Sequence, residues 1–191
     1  MTANQQTLLD YWLSLPRRTH DLVPCKNDIS LPKLAKIARF LGMAEDRGQY
    51  DLLVRLFGTS VEENIGKQSS QNAFDHYTPD SRDWFHAYFR NIFDTPVSLR
   101  HDMAFHFEKT PLWIQKVFHL PLADEAGQCR FIISVFEPGE LIGNIRTRRT
   151  QGLLAADSIH NLQMIDIGAG TGAELPDVPN DQLMAPMKVA V

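Results

Sequence analysis

Seven histidines, two cysteines and one late glycine cluster are the residues of this 191-residue chain whose types and spacing bear most directly on chemistry. His101 shares strand parity with Leu99, Met103 and Phe105, which places it on the inner face of a half-buried strand. A buried imidazole there needs a hydrogen-bond partner, and a half-buried one would titrate near neutral pH. His101 is therefore the leading polar candidate for a binding site. Cys25 and Cys129 stand far apart, with no CxxC partner and no histidine at metal-ligand spacing. They read as two free thiols in a reducing compartment, and no metal site is expected. Serine, histidine and aspartate all occur, but neither a G-x-S-x-G elbow nor an H-E-x-x-H helix does. The carboxylates fall at turns and helix starts, where capping accounts for them. The chain is expected not to be an enzyme, and no catalytic residue is assigned.

Met164-Ile165-Asp166-Ile167-Gly168-Ala169-Gly170-Thr171-Gly172 looks like the first motif of S-adenosylmethionine-dependent methyltransferases, a strand ending in a glycine turn. That turn works at the lip of a parallel sheet, opens a helix, and uses an acidic residue about 20 positions further on. Pro176, Pro179 and Pro186 follow here, so no βαβ unit is expected. A methyltransferase fragment stays as an alternative of a different class; a loosely ordered tail is the preferred account.

Elements must position these residues, and their signals run along the chain. Thr2-Ala3-Asn4-Gln5 fits a capping box. Leu8, Tyr11, Trp12 and Leu15 then line one helix face until Pro16 stops it. This apolar stripe must pack on the domain or on a second copy, which makes these four residues the candidates for a dimer helix. Pro32, Leu34, Ile37 and Ala38 suggest a second short helix, and Phe40 to Ala44 a first strand. Tyr50 to Phe57 alternates as a strand, with Tyr50, Leu52, Val54 and Leu56 on one face. Gly58 ends it, Thr59-Ser60-Val61-Glu62 reads as another capping box, and Gly66 closes that short helix in a left-handed conformation.

Gln71 to Tyr77 reads as one or two helical turns. Phe85, Tyr88, Phe89 and Ile92 then repeat at helical spacing in a longer element that Pro96 closes. Phe85, Tyr88, Phe89 and Phe93 form an aromatic cluster that is either core or the lining of an apolar pocket. Three strands follow: Val97 to Glu108, Pro111 to Pro121 and Arg130 to Phe136. Their short connections imply an antiparallel meander. Leu153 to Leu162 is expected to be helical. The expected fold is α+β: a five-stranded antiparallel sheet with helices on one face, an N-terminal amphipathic helix and a C-terminal tail. The domains divide as an N-terminal helical cap (1–38), a core domain (39–137) and a partly disordered extension (138–191).

Composition narrows the function classes. The chain is 43% hydrophobic and 22% charged, with net charge −4. No basic face is available for nucleic acid, and the short run Arg146-Thr147-Arg148-Arg149 does not supply one. No stretch approaches the roughly 20 apolar residues of a membrane span, and Leu8 to Leu15 lacks the basic segment of a signal peptide. A cytoplasmic protein is expected.

The order strand, strand, short helices, longer helix and three strands resembles a PAS domain. More narrowly, Leu9-Asp10-Tyr11-Trp12-Leu13-Ser14-Leu15, Leu31-Pro32-Lys33-Leu34 and Tyr50-Asp51-Leu52-Leu53-Val54-Arg55-Leu56-Phe57-Gly58-Thr59 resemble a compact PAS subgroup found mainly in alphaproteobacteria. Asn64-Ile65-Gly66-Lys67 is similar to that subgroup's helix end. The resemblance covers about residues 8 to 138.

It implies a sensory or regulatory module in signal transduction, with a cavity between sheet and helices. Such a module binds a small apolar ligand, forms a homodimer, or docks a separate signalling protein; a structural adaptor with a filled cavity is a further alternative. Leu52, Val54, Phe85, Tyr88, Phe89, His101, Met103 and Phe105 are the pocket candidates. Some PAS domains carry an axial haem ligand on the helix that holds His86, but His86 falls off the buried stripe and a boundary histidine is expected instead. A flavin photoadduct would need a cysteine in the helices after the second strand, and residues 58–80 contain none. With no kinase, cyclase or DNA-binding segment after the domain, output is expected to pass through association.

Overall fold

Each alternating segment enters one sheet, and the sheet is larger than the sequence signals suggest. The computed structural model describes residues 1–107, 110–139, 156, 159–171 and 187–188. Its strands are β1 (Leu41–Gly48), β2 (Asp51–Phe57), β3 (Val97–Phe107), β4 (Thr110–Ala123), β5 (Cys129–Pro138), β6 (Ile159–Asp166) and β7 (Met187–Lys188). They lie in the order β2-β1-β5-β4-β3-β6-β7. All pairings are antiparallel except the last, a two-residue parallel match between β6 and β7. The helices are α1 (Ala3–Ser14), α2 (Thr59–Ile65) and α3 (Arg82–Asp94). The class is α+β, as expected. No helix among the described residues is long and apolar enough to cross a membrane.

The expectation of five strands needs correction at the C-terminal side. Ile159 and Leu162, spaced like one helix face, belong to β6 beside β3. The cause is a register shift between Arg100 and Asp102, opposite which Asn161 adopts φ +51°. That bulge resets strand parity between Ile159 and Leu162, so both are buried despite their three-residue spacing, while Ile165 is buried on the other parity, opposite Ser98. The Asn161 amide donates to Asp102 at 2.8 Å and fixes the bulge. Arg146 to Arg149, Leu153 and Gly172 with the prolines beyond it lie outside the described residues.

Two other local expectations change. Leu34 and Ile37 sit in successive 3₁₀ turns, Leu31–Leu34 and Ala38–Phe40 bracketing them, rather than in one helix. The first strand runs on to Gly48 because its charged end is paired. Glu45 meets Arg55 and Arg130, Asp46 meets Arg90, and Arg47 meets Asp51. Gly42 does not weaken this strand. A Cβ there would lie 2.6 Å from the Phe136 ring and 2.9 Å from the Phe57 ring, two rings in edge-to-face contact at 5.4 Å. The N-cap of α2 is Gly58, not Thr59, and it makes no side-chain cap bond. A Cβ at Gly58 would stand 2.3 Å from the Ala38 carbonyl oxygen, so the chain passes too close for a larger residue. The helix ends at Gly66 with the expected positive φ, +89°, but with ψ 169° its backbone is extended past the left-handed helical region.

Helices cover both sheet faces. The α1 capping box forms as read, with Thr2 and Gln5 exchanging bonds. Leu8 and Trp12 are fully buried, and α1 packs on β4 and β5. The Trp12 indole donates to the Pro121 carbonyl at 2.8 Å, and Asn4 donates to Glu137 at 2.7 Å. Glu137 shares strand parity with Ile133 and Val135, so α1 lies on the face that those residues share with Phe118, Leu120 and Leu122. On the opposite face α3 packs across β3, β4 and β5, burying Phe85, Tyr88, Phe89 and Ile92 as the helical spacing predicts.

Candidate functional site

Strand pairing explains which side chains meet under α3. Directly opposed residues in an antiparallel pair share a face. His101 opposes Val117, Leu99 opposes His119, and His119 opposes Ser134. The α3 face therefore carries Leu99, His101 and Met103 from β3, Gln115, Val117 and His119 from β4, and Ser134 and Phe136 from β5. His101 sits where the alternation puts it, and is only 4% exposed.

Three of these polar groups and Tyr88 of α3 form a linked patch. The Tyr88 hydroxyl and His101 Nδ1 are 3.0 Å apart. The His101 and His119 rings lie 5.5 Å apart, and His119 Nδ1 is 2.6 Å from the Ser134 hydroxyl. Burial pushes the His101 imidazole well below its ordinary range, helped by its neighbour His119. Burial alone takes His119 down to about 3. Both rings are neutral at physiological pH, and His101 is too deeply buried to be the half-buried imidazole that would titrate near neutrality. Desolvation also raises Tyr88 well above its usual value, so its hydroxyl keeps its proton and can donate to the neutral His101 nitrogen.

Aromatic rings surround the patch. Tyr88 meets the rings of His101 and His119 edge-on, and Phe89 and Phe136 meet His119 in the same way. Trp84 stacks on Tyr88 with centroids 5.4 Å apart, while Tyr77 stacks on Phe85 at 3.8 Å. Of the expected pocket residues, Phe85, Tyr88, Phe89, His101 and Met103 gather at this layer. Leu52 and Val54 are buried on β2, towards the other end of the sheet. Phe105 lies on β3 with its side chain outside the described residues. His86 is half-buried beside Tyr50, with ring centroids 5.0 Å apart, at the margin of the layer.

His119, Ser134 and Gln115 escape the sequence reading. Leu112, Ile114, Phe118 and Leu120 mark one parity of β4 so strongly that the other parity reads as solvent-facing. The available signal is Val117 among the alternate positions. A central strand covered on both faces buries both parities. Gln115 is fully buried, and neither its amide nitrogen nor its amide oxygen has a partner among the described residues.

The patch also limits the chemistry. His119 and Ser134 stand at the separation of a base and a nucleophile, but no carboxylate bonds His119 among the described residues. Burial further holds this imidazole far from protonation. The pair acts as a cross-strand hydrogen bond. No group of three or more metal-ligating side chains occurs among the described residues. Cys25 and Cys129 are buried free thiols, and burial pushes Cys129 up to about 12.

The remaining candidate residues lie elsewhere. Leu8, Trp12 and Leu15 are buried within their own chain, and Tyr11 is half-buried with its hydroxyl accepting from the Ser30 amide at 2.6 Å. At the glycine cluster, Asp166 accepts from the Gly168 and Gly170 amides at 2.8 and 2.9 Å. The turn follows a strand antiparallel to its longer neighbour β3. In comparisons with known proteins, no family model matches the chain, and no curated protein matches it.

Proposed function

We propose that the chain is a cytoplasmic, non-enzymatic sensory or regulatory module of the PAS type, which responds to a small molecule held between α3 and the sheet. The observation that carries this reading is the polar patch of Tyr88, His101, His119 and Ser134, enclosed by aromatic rings on an antiparallel sheet. The element order supports it too: two strands, short helical turns, the aromatic helix and a three-stranded meander. Two buried neutral imidazoles carry a desolvation cost that a hydrocarbon layer would avoid. A ligand-binding layer uses such groups to orient its occupant.

Occupancy would bias the packing of α3 on the sheet and so shift the population of surfaces offered to a partner. Association with a second copy or a separate signalling protein would use surfaces other than the α1 stripe, which the chain's own sheet covers. The structural-adaptor reading draws on the same layer, where the ring contacts run from Phe74 through Tyr77 and Phe89 to Phe136 and need no occupant.

Mass spectrometry and absorbance of the whole chain purified from cells separate the two readings. A small molecule near one equivalent, released on unfolding and depleted in His101→Leu, is the expected result. The ligand reading is overturned if native and variant chains carry nothing in common excess and small aromatic fragments leave the resonances of His101 and His119 unmoved.

A further inference from the structure

We propose that Gln115 is the recognition residue of this layer and that the ligand it takes is a neutral, planar molecule with an amide-type edge, a carboxamide or lactam. The inference rests on the ligand-binding reading above and names the class of ligand. Gln115 has no exposed surface, yet both ends of its amide are without a hydrogen-bond partner among the described residues. Leaving a buried donor or acceptor unsatisfied costs about 1–3 kcal/mol, so a glutamine held this way is either a burden or a waiting contact.

Its position favours the second. Gln115 opposes Met103 on β3 and Pro138 on β5, neither of which can donate from its side chain. It lies one rung beyond the His101–Val117 pair on the same face. His119, His101 and Gln115 therefore alternate between β4 and β3 along one diagonal track. A primary amide sets one acceptor beside two donors, and the group that satisfies both ends at once is another amide edge. Both imidazoles on the track are neutral, so no fixed charge there calls for an ion. The flat rings of Trp84, Tyr88 and Phe136 favour a planar occupant.

Three probes on the isotope-labelled whole chain test this by NMR: 2-pyridone, which has a lactam edge; N-methyl-2-pyridone, which lacks the donor; and toluene. The Gln115 side-chain amide signals are identified by their loss in Gln115→Leu. Saturable shifts of those signals by 2-pyridone are expected, with the methylated probe about tenfold weaker or worse, because a buried polar site rejects an analogue that leaves it unpaired. Gln115→Leu should lose 2-pyridone by a similar factor while keeping toluene. Equal binding of the two pyridones overturns the amide-edge assignment, as does 2-pyridone binding that survives Gln115→Leu. Toluene binding in the layer without lactam preference leaves the small-molecule reading standing and removes this one; failure of all three probes removes the amide edge along with its support. Should Gln115→Leu not fold, the two pyridones compared on the native chain decide the question by themselves.

Discussion

The two faces of one sheet carry the same strands and are built to opposite rules. Under α1, Phe118, Leu120, Leu122, Ile133 and Val135 share one buried core with Leu8 and Trp12, and the one polar atom of the indole is satisfied by a backbone carbonyl. Under α3, the same strands present His101, His119, Ser134 and Gln115 among aromatic rings. Apolar burial on the first face contributes stability without conditions. Desolvated polar groups on the second face cost stability unless something repays them. The contrast assigns scaffolding to the α1 side and recognition to the α3 side.

The largest effect should come from the scaffolding face. Trp12→Ala is expected to destabilise the chain by about 3–5 kcal/mol, read by urea denaturation. A loss under 1 kcal/mol would mean that α1 is an ornament and would break the comparison.

Acid is next, and it acts on the recognition face. Both imidazoles have folded values below the unfolded value of 6.5, His119 at about 3. The unfolded chain therefore binds protons that the folded chain refuses, as pH falls below 6.5 towards the folded values. Stability is full above that window and should decline within it by up to about 1.4 kcal/mol per pH unit for each histidine. His119→Gln should remove close to half of the slope in denaturation curves collected between pH 7 and 4.5. An unchanged slope would assign the acid sensitivity to other groups.

The smallest effect has the opposite sign. Gln115→Leu should leave the empty chain as stable as the parent or raise it by up to about 1 kcal/mol, because a shape-matched apolar group removes two unsatisfied atoms. A loss above 2 kcal/mol would show that the glutamine is a satisfied member of the core and would blur the division between the faces.

Much of this contrast is legible in the chain itself. The α1 capping box, the α3 stripe and the inward face of His101 follow from spacing alone, because each depends on a period that one element obeys throughout. What spacing misses is where a period is broken or doubled. Asn161 interrupts β6, so a strand with one bulge mimics the three-residue rhythm of a helix. β4 is covered on both faces, so His119 and Gln115 occupy positions that a half-buried strand would give to solvent. A glycine inside a strand, as Gly42 is, carries a third kind of hidden information: its value lies in the room it leaves for Phe57 and Phe136, and those rings are remote in sequence.

The place of β1 between β2 and β5 has a consequence for how the chain reaches this state. The β1–β2 hairpin is local and can close early, but its other edge waits for residues some ninety positions downstream, as in the match of Gly42 with Ser134. Closing so long a loop precedes the reward from the contacts it allows, which slows folding relative to a chain of local contacts. During synthesis, the hairpin must therefore remain half-paired until β5 has left the ribosome, and its bare edge is the stretch that a chaperone would have most reason to shield.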